Sequence, residues 1–297
     1  MKILKSCRII PFAMGLLLAF SVLALAPGAQ AKAKRFIVVA STTSTENSGL
    51  FDFILPKFER ATGIQVRVIA KGTGLAIDIA RRGDADVLFV HHRPSEEAFV
   101  AQGYGVKRFD VMYNDFIIVG PAADPAGIRG MTAAAKAFRT IAKRRVLFVS
   151  RGDESGTHRR EREIWQAAGI DPSGDSGTWY RAAGAGMGAT LNIAAEMDAY
   201  TLSDRATWVS FRNKRGLELL VAGDPMLFNQ YGVILVNPKR FPHVRAADGQ
   251  RFIDWLLSPD GQATIAAYRV NGQQLFHPDA KPQPSPEDRS RPASGRP

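Results

Sequence analysis

Cysteine is all but missing from this chain. Cys7 is the single one in 297 residues, and it precedes the apolar run at 9–26 instead of following it. Disulfide frameworks, zinc–cysteine sites and cysteine nucleophiles are excluded for everything downstream, and so is a lipidated cysteine behind a leader. No second apolar run is long enough to span a bilayer. Histidine is scarce too, with five in all. Two of them, His91 and His92, are adjacent at the end of an apolar run, where neighbouring side chains of a strand face opposite ways. They do not make a metal pair; one of them packing near the mouth of a site is the expected role. No internal repeat of 20–50 residues is present, and no catalytic or metal-ligating constellation stands out.

Lys2, Lys5 and Arg8 precede the apolar run, Pro11 breaks it, and Ala29-Gln30-Ala31 supplies a small-x-small cleavage pattern. These features predict a cleavable secretory signal at 1–31, a mature chain beginning near Lys32, and a soluble product outside the cytoplasmic membrane. At the other end, 277–297 is rich in proline and lacks apolar periodicity, so a disordered tail is expected there. The formal charge is +11, but the basic residues are interleaved with acidic ones, as in Arg159-Arg160-Glu161-Arg162-Glu163. That pattern reads as solvated surface and not as a nucleic-acid stripe.

The chain as a whole is 45% hydrophobic, enough to support a substantial core. Short apolar runs alternate with helical periodicity: Phe36-Ile37-Val38-Val39-Ala40, the stretch 64–70, Asp86-Val87-Leu88-Phe89-Val90 and Val146-Leu147-Phe148-Val149 each precede a helix. Such alternation predicts an α/β fold with mostly parallel sheets flanked by helices, in which ligands collect beyond the carboxyl ends of strands. Three loops sit at such ends. Ser41 to Ser48 is dense in hydroxyls, Lys71-Gly72-Thr73-Gly74 opens a helix, and Ser150-Arg151-Gly152-Asp153-Glu154-Ser155-Gly156-Thr157-His158 opens another. Unpaired N–H groups and the positive dipole end of a helix start favour an anion, and Arg151 adds a planar fork of donors with Asp153 near enough to hold it. The same residues also make ordinary helix caps and tight turns. Likewise, the glycines at 184, 186 and 188 suit either close backbone approach or a flexible turn.

Ser41 to Leu50, the loop at 150–158, the run at 186–194 and Tyr113-Asn114-Asp115-Phe116 together resemble the tungstate-binding proteins of Tup-type ABC transporters, over about residues 36–276. The resemblance implies a two-lobed periplasmic binding protein of class II, with a ligand clamped between lobes joined by two hinge strands. Lobe 1 is expected at 32–116 and 233–276, and lobe 2 at 117–232. It further implies a site made of Ser41, Thr42, Thr43 and Ser44 in one lobe and Arg151, Ser155, Gly156 and Thr157 in the other; Thr73 extends it by likeness to phosphate-binding relatives. Ser41 stands where the common pattern has Thr. The implied ligand is tungstate or molybdate without any cofactor, the implied partner is an inner-membrane ABC permease, and the chain is expected to be a monomer that binds no nucleic acid.

The chemistry of the candidate residues agrees with a proton-free dianion. Monohydrogen phosphate has a proton to give and benefits from a carboxylate facing it, whereas this pocket is almost all donors, with His91-His92 at the equivalent strand end. A neutral histidine can also accept a proton, so molybdate, sulfate and phosphate remain alternatives within the class. A secreted serine hydrolase using Ser155 is the alternative from another class. It lacks the Gly-x-Ser-x-Gly spacing, and His158 is too near in sequence to be an obvious base.

Overall fold

The computed structural model describes residues 35–281. The expected signal peptide and residues 282–297 of the expected tail lie outside the described residues. In chain order the elements are β1 (Arg35–Thr42), α1 (Thr43–Asn47), α2 (Leu50–Thr62), β2 (Ile64–Lys71), α3 (Thr73–Arg81), β3 (Val87–Val90), α4 (Arg93–Ala101) and the long β4 (Gly105–Pro121). Then come α5 (Ala134–Arg144), β5 (Phe148–Ser150), α6 (Gly156–Ala168), β6 (Tyr180–Ala182), α7 (Met187–Glu196), β7 (Thr201–Asp204), α8 (Arg205–Ser210) and β8 (Leu217–Val221). The chain returns through β9 (Phe228–Val236), α9 (Ala246–Leu257), α10 (Pro259–Ala267) and three short strands, β10 (Arg269–Val270), β11 (Gln273–Gln274) and β12 (His277–Pro278). No helix among the described residues is long and apolar enough to cross a membrane.

The central sheet has the order β12-β4-β9-β3-β1-β2. Its residues alternate between two cores. Val87 and Phe89 face a core shared with α2, α9 and α10, while Leu88 and Val90 face another shared with α3 and α4. A strand covered on both faces needs apolar residues at every position, which is why β3 is a continuous run. A second pair of cores lies in the middle of the chain: Phe116, Ile118 and Phe148 pack with α5 and α6, and Ile117, Val119 and Val149 pack with α7. The fold is therefore two α/β halves, each a sheet between helices. Strands β4 and β9 join them, β4 pairing with β9 up to Asp115 and with β7 from Phe116.

Several expectations change. The sheets are mixed and not mostly parallel: β2, β1 and β3 run parallel, but β9 is antiparallel to β3 and to β4, and β7 and β8 are antiparallel to β4. The cause is the return of the chain, since β9 re-enters the first half running against the strand that left it, and antiparallel neighbours need no crossover helix. The hydroxyl-dense stretch is the end of β1 followed by the one-turn helix α1, with Thr42 as its cap. Residues 277–281, expected in a disordered tail, are ordered: His277 and Pro278 pair with Tyr113 and Met112, and the Ala280 amide donates to Gln262. Apolar periodicity misses such a segment because it is held by backbone bonds at a sheet edge. The glycines at 184, 186 and 188 have no neighbour within 4 Å of an added Cβ; Gly184 makes a turn at φ +62°, Gly186 caps α7 and Gly188 lies in its first turn.

Candidate functional site

The site begins with two helix starts that face each other from different halves. Gly72 caps α3, which places Thr73 in its first turn, and Ser155 caps α6 by accepting from the His158 amide at 3.2 Å. Between them the chains come into contact. A Cβ added to Gly156 would lie 3.1 Å from Thr73 Oγ1 and 2.8 Å from His91 Cε1, so only glycine lets the α6 loop approach the first half this closely. Gly152, at φ +61°, makes the preceding turn beside Ala182.

Three buried polar atoms at this junction have no partner: Thr73 Oγ1, Thr157 Oγ1 and Arg151 Nε. Native proteins pair nearly all such groups, so their concentration here is the mark of a place that receives acceptors. Arg151 is 2% exposed, and its Nη2 is held by Asp153 Oδ2 at 2.5 Å, as the spacing predicted. Asp153 in turn accepts from the Ser155 amide at 3.2 Å, tying guanidinium and helix cap into one rigid loop. The carboxylates around the site are all engaged. Asp204 caps α8 through Thr207, and Glu161 accepts from Trp165 Nε1 at 3.2 Å and Tyr180 OH at 2.9 Å, besides Ser150 and the Arg151 amide. Burial pushes the Glu161 carboxyl up to about 7.

The remaining predicted residues are gathered on the first-half side, but with different roles. The Ser41 hydroxyl donates to the Phe89 carbonyl at 2.6 Å and is spent inside the sheet. Thr42 accepts from the Thr45 amide, Thr43 is half-buried at the start of α1, and Ser44 Oγ lies 3.1 Å from His91 Nε2. His91 is buried beneath Gly156, with Nδ1 3.0 Å from Asn229 Oδ1. Burial drives it down to about 4, with the neighbouring Arg151 adding to the effect, so it is neutral at pH 7. His92 instead caps α4, and among the described residues no group of three His, Cys, Asp or Glu is placed to hold a metal ion. The His158 ring is turned to the Glu154 amide at 3.1 Å, so it offers Ser155 no base.

Glu161 corrects the reading of Arg159-Arg160-Glu161-Arg162-Glu163 as solvated surface, because it is 1% exposed. Its periodicity carried the signal, for Glu161 falls on the same face as Ile164, Trp165 and Ala168. Asn229, by contrast, reaches the site only through the pairing of β4 with β9, which no local pattern reveals.

Two α/β halves joined by two strands, with a donor-lined junction at facing helix starts, define the class: a two-lobed periplasmic-binding-protein fold. A family model described as the PBP superfamily domain matches residues 27–260. A tungstate-binding protein TupA of Peptoclostridium acidaminophilum is 46% identical over 84% of this chain and 87% of its own. Among solved structures, the tungstate-binding protein TupA of Desulfovibrio alaskensis G20 superposes with a TM-score of 0.74 at 44% identity, covering 83% of this chain and all of that one. The tungstate ABC transporter structure from Geobacter sulfurreducens gives 0.73 at 47% identity over 80% of this chain and 100% of its own. The chain belongs to the TupA family of the PBP superfamily.

Proposed function

We propose that this protein is the periplasmic solute-binding component of an ABC transporter, that it captures tungstate between its two lobes, and that it delivers the anion to a membrane permease. The observation that carries the reading is the trio of buried donors without partners, Thr73 Oγ1 from one half and Thr157 Oγ1 and Arg151 Nε from the other. A tetrahedral dianion with four acceptor oxygens and no proton suits donors that converge from both sides, and the names of the relatives supply tungstate as that anion. Because each half holds part of the donor set, affinity depends on closure, which is how such proteins couple capture to a conformational change. In the same reading the lobes are 32–116 with 233–276 and 117–232, Ser155 and Gly156 offer backbone donors at the start of α6, and 1–31 is removed on export. Capture and release make or break no bond, so the reading needs neither nucleophile nor cofactor.

The test is calorimetric titration of the exported chain with tungstate, molybdate, sulfate and phosphate in parallel. Tungstate and molybdate are expected to bind with 1:1 stoichiometry, and phosphate about five- to a hundredfold more weakly, since a proton donor buried without a carboxylate to accept from it costs roughly 1–3 kcal/mol. A folded chain that gives no heat with tungstate sinks the reading.

A further inference from the structure

Beneath the α6 loop, seven buried side chains form a continuous hydrogen-bonded circuit from Thr45 to Tyr231. It passes through the place where the two joining strands meet. Asn114 on β4 is paired with Asn229 on β9, and Asn229 Nδ2 donates to Asn114 Oδ1 at 2.7 Å. That orientation leaves Asn229 Oδ1 against His91 Nδ1 at 3.0 Å. An amide oxygen only accepts, so Nδ1 carries the hydrogen. A neutral imidazole protonated there has a bare lone pair at Nε2, and the Ser44 hydroxyl, 3.1 Å away, must be the donor.

The direction set at His91 passes round the rest. Ser44 Oγ is 3.1 Å from Thr42 Oγ1, which is 2.7 Å from Thr45 Oγ1. At the other end, Asn114 Nδ2 and Asn229 Nδ2 each reach the Tyr231 hydroxyl at 3.4 Å. With the amides oriented this way, one sense of donation runs through the set: Thr45 to Thr42, Thr42 to Ser44, Ser44 to His91, His91 to Asn229, Asn229 to Asn114, and Asn114 to Tyr231. All seven are buried. The circuit also bears on the anion loop, because the His91 ring edge is the surface against which Gly156 packs.

We propose that His91 is a positioning residue of the anion site: locked as the Nδ1–H tautomer by Asn229, it draws the Ser44 hydroxyl proton away from the anion. The hydroxyls of Thr42 and Ser44 then serve the circuit, and the anion is met by Thr73, Arg151, Thr157 and backbone amides. The proposal rests on the oxyanion-capture reading given above for its effect on affinity, but its tautomer can be read without any ligand. The rival is direct donation from the Ser44 hydroxyl to the anion, with His91 as packing.

Two measurements decide between them. The first is the 15N–1H correlation spectrum of histidine-labelled full-length exported protein. His91 is expected to show a protonated Nδ1 and a pyridine-like Nε2; a protonated Nε2 overturns the proposal whether or not tungstate binds. Asn229→Asp keeps an acceptor towards Nδ1 and is expected to keep that tautomer, whereas Asn229→Ala is expected to lose it, a split that a mere packing role does not produce. The second is tungstate titration of Ser44→Ala, Asn229→Ala and the double variant. Asn229→Ala is expected to weaken tungstate binding about tenfold, and the double variant no more than the weaker-binding of the two singles. If Asn229→Ala leaves affinity within threefold, or the two effects add, Ser44 donates to the anion directly and the proposal fails. If Asn229→Ala does not fold, the tautomer of the unaltered chain still decides.

Discussion

Arg159 Nη1 on α6 donates to the Ser95 hydroxyl on α4 at 2.9 Å, joining the first turns of two helices from different halves. His92 Nε2 and Glu163 Oε1 approach to 3.4 Å beside it. Both contacts border a cavity of about 1050 Å³ along α6, so water reaches them and each is worth little alone. Neither involves a residue assigned to the anion, yet both exist only when the halves are together.

Arg159→Ala therefore removes a closing contact without touching the anion. A single hydrogen bond of this kind contributes roughly 0.5–1.5 kcal/mol, or about two- to tenfold in an equilibrium. The loss is expected in the dissociation rate, with the association rate nearly unchanged, and stopped-flow displacement of tungstate measures both. An effect confined to association would show that Arg159 steers the anion electrostatically and does not hold the lobes.

Arg151→Ala is expected to weaken tungstate binding by about two to three orders of magnitude, because losing a desolvated, charge-assisted contact costs roughly 2–5 kcal/mol. Part of that cost is Asp153, half-buried and left without its 2.5 Å partner. Arg151→Lys keeps the charge but loses the planar fork, and is expected to recover only part of the affinity. A change below threefold for Arg151→Ala, read by calorimetry, removes this residue from the site.

Thr73→Val and Thr157→Val separate binding from stability by sign. Each replaces a buried hydroxyl that has no partner with a methyl of the same shape. An unpaired buried hydroxyl costs the fold about 1–3 kcal/mol, so the ligand-free variants are expected to be as stable as the parent or more so in urea. Tungstate affinity is expected to fall about tenfold in each. Loss of stability together with unchanged affinity would mean that these hydroxyls serve the fold.

Much of this site was legible before the fold was known, and the division follows locality. The α6 loop carries its own instructions: Arg151 and Asp153 lie two apart, and Ser155 stands directly before a periodic helix, so ion pair and cap were both readable. Glu161 was readable in principle through its spacing to Ile164 and Trp165, but its charged neighbours masked it. The hydroxyls of Ser41 to Ser44 show where composition misleads. Their density falls beside His91 and the α6 loop, yet one donates into the sheet and others cap α1 or turn to His91, because a hydroxyl's partner is decided in three dimensions. Asn114 and Asn229 are 115 residues apart and meet only because β9 returns antiparallel to β4. The same return turned an expected parallel sheet into a mixed one.

The burial of neutral His91 has a consequence for stability that can be measured without any anion. Its imidazole is lowered from 6.5 to about 4 in the fold, chiefly by burial, with Arg151, His92 and Arg160 all disfavouring the charged form. Between those two values the unfolded chain binds the proton that the folded chain refuses, so stability falls as the pH drops from about 6.5 and the full loss is reached below about 4. At about 1.4 kcal/mol per pH unit the loss approaches about 3 kcal/mol. Glu96 and Glu161 act in the opposite sense, since burial raises both to about 7 and their folded forms hold protons that the unfolded chain has released. Comparing the parent with His91→Gln cancels those carboxylates, because both proteins contain them. Unfolding free energies from urea titrations between pH 7 and pH 4 are expected to fall more steeply in the parent, by about 3 kcal/mol across the range. Parallel curves would mean that His91 takes up its proton as readily in the fold as outside it, which a ring accepting from Ser44 at Nε2 and donating to Asn229 at Nδ1 does not allow.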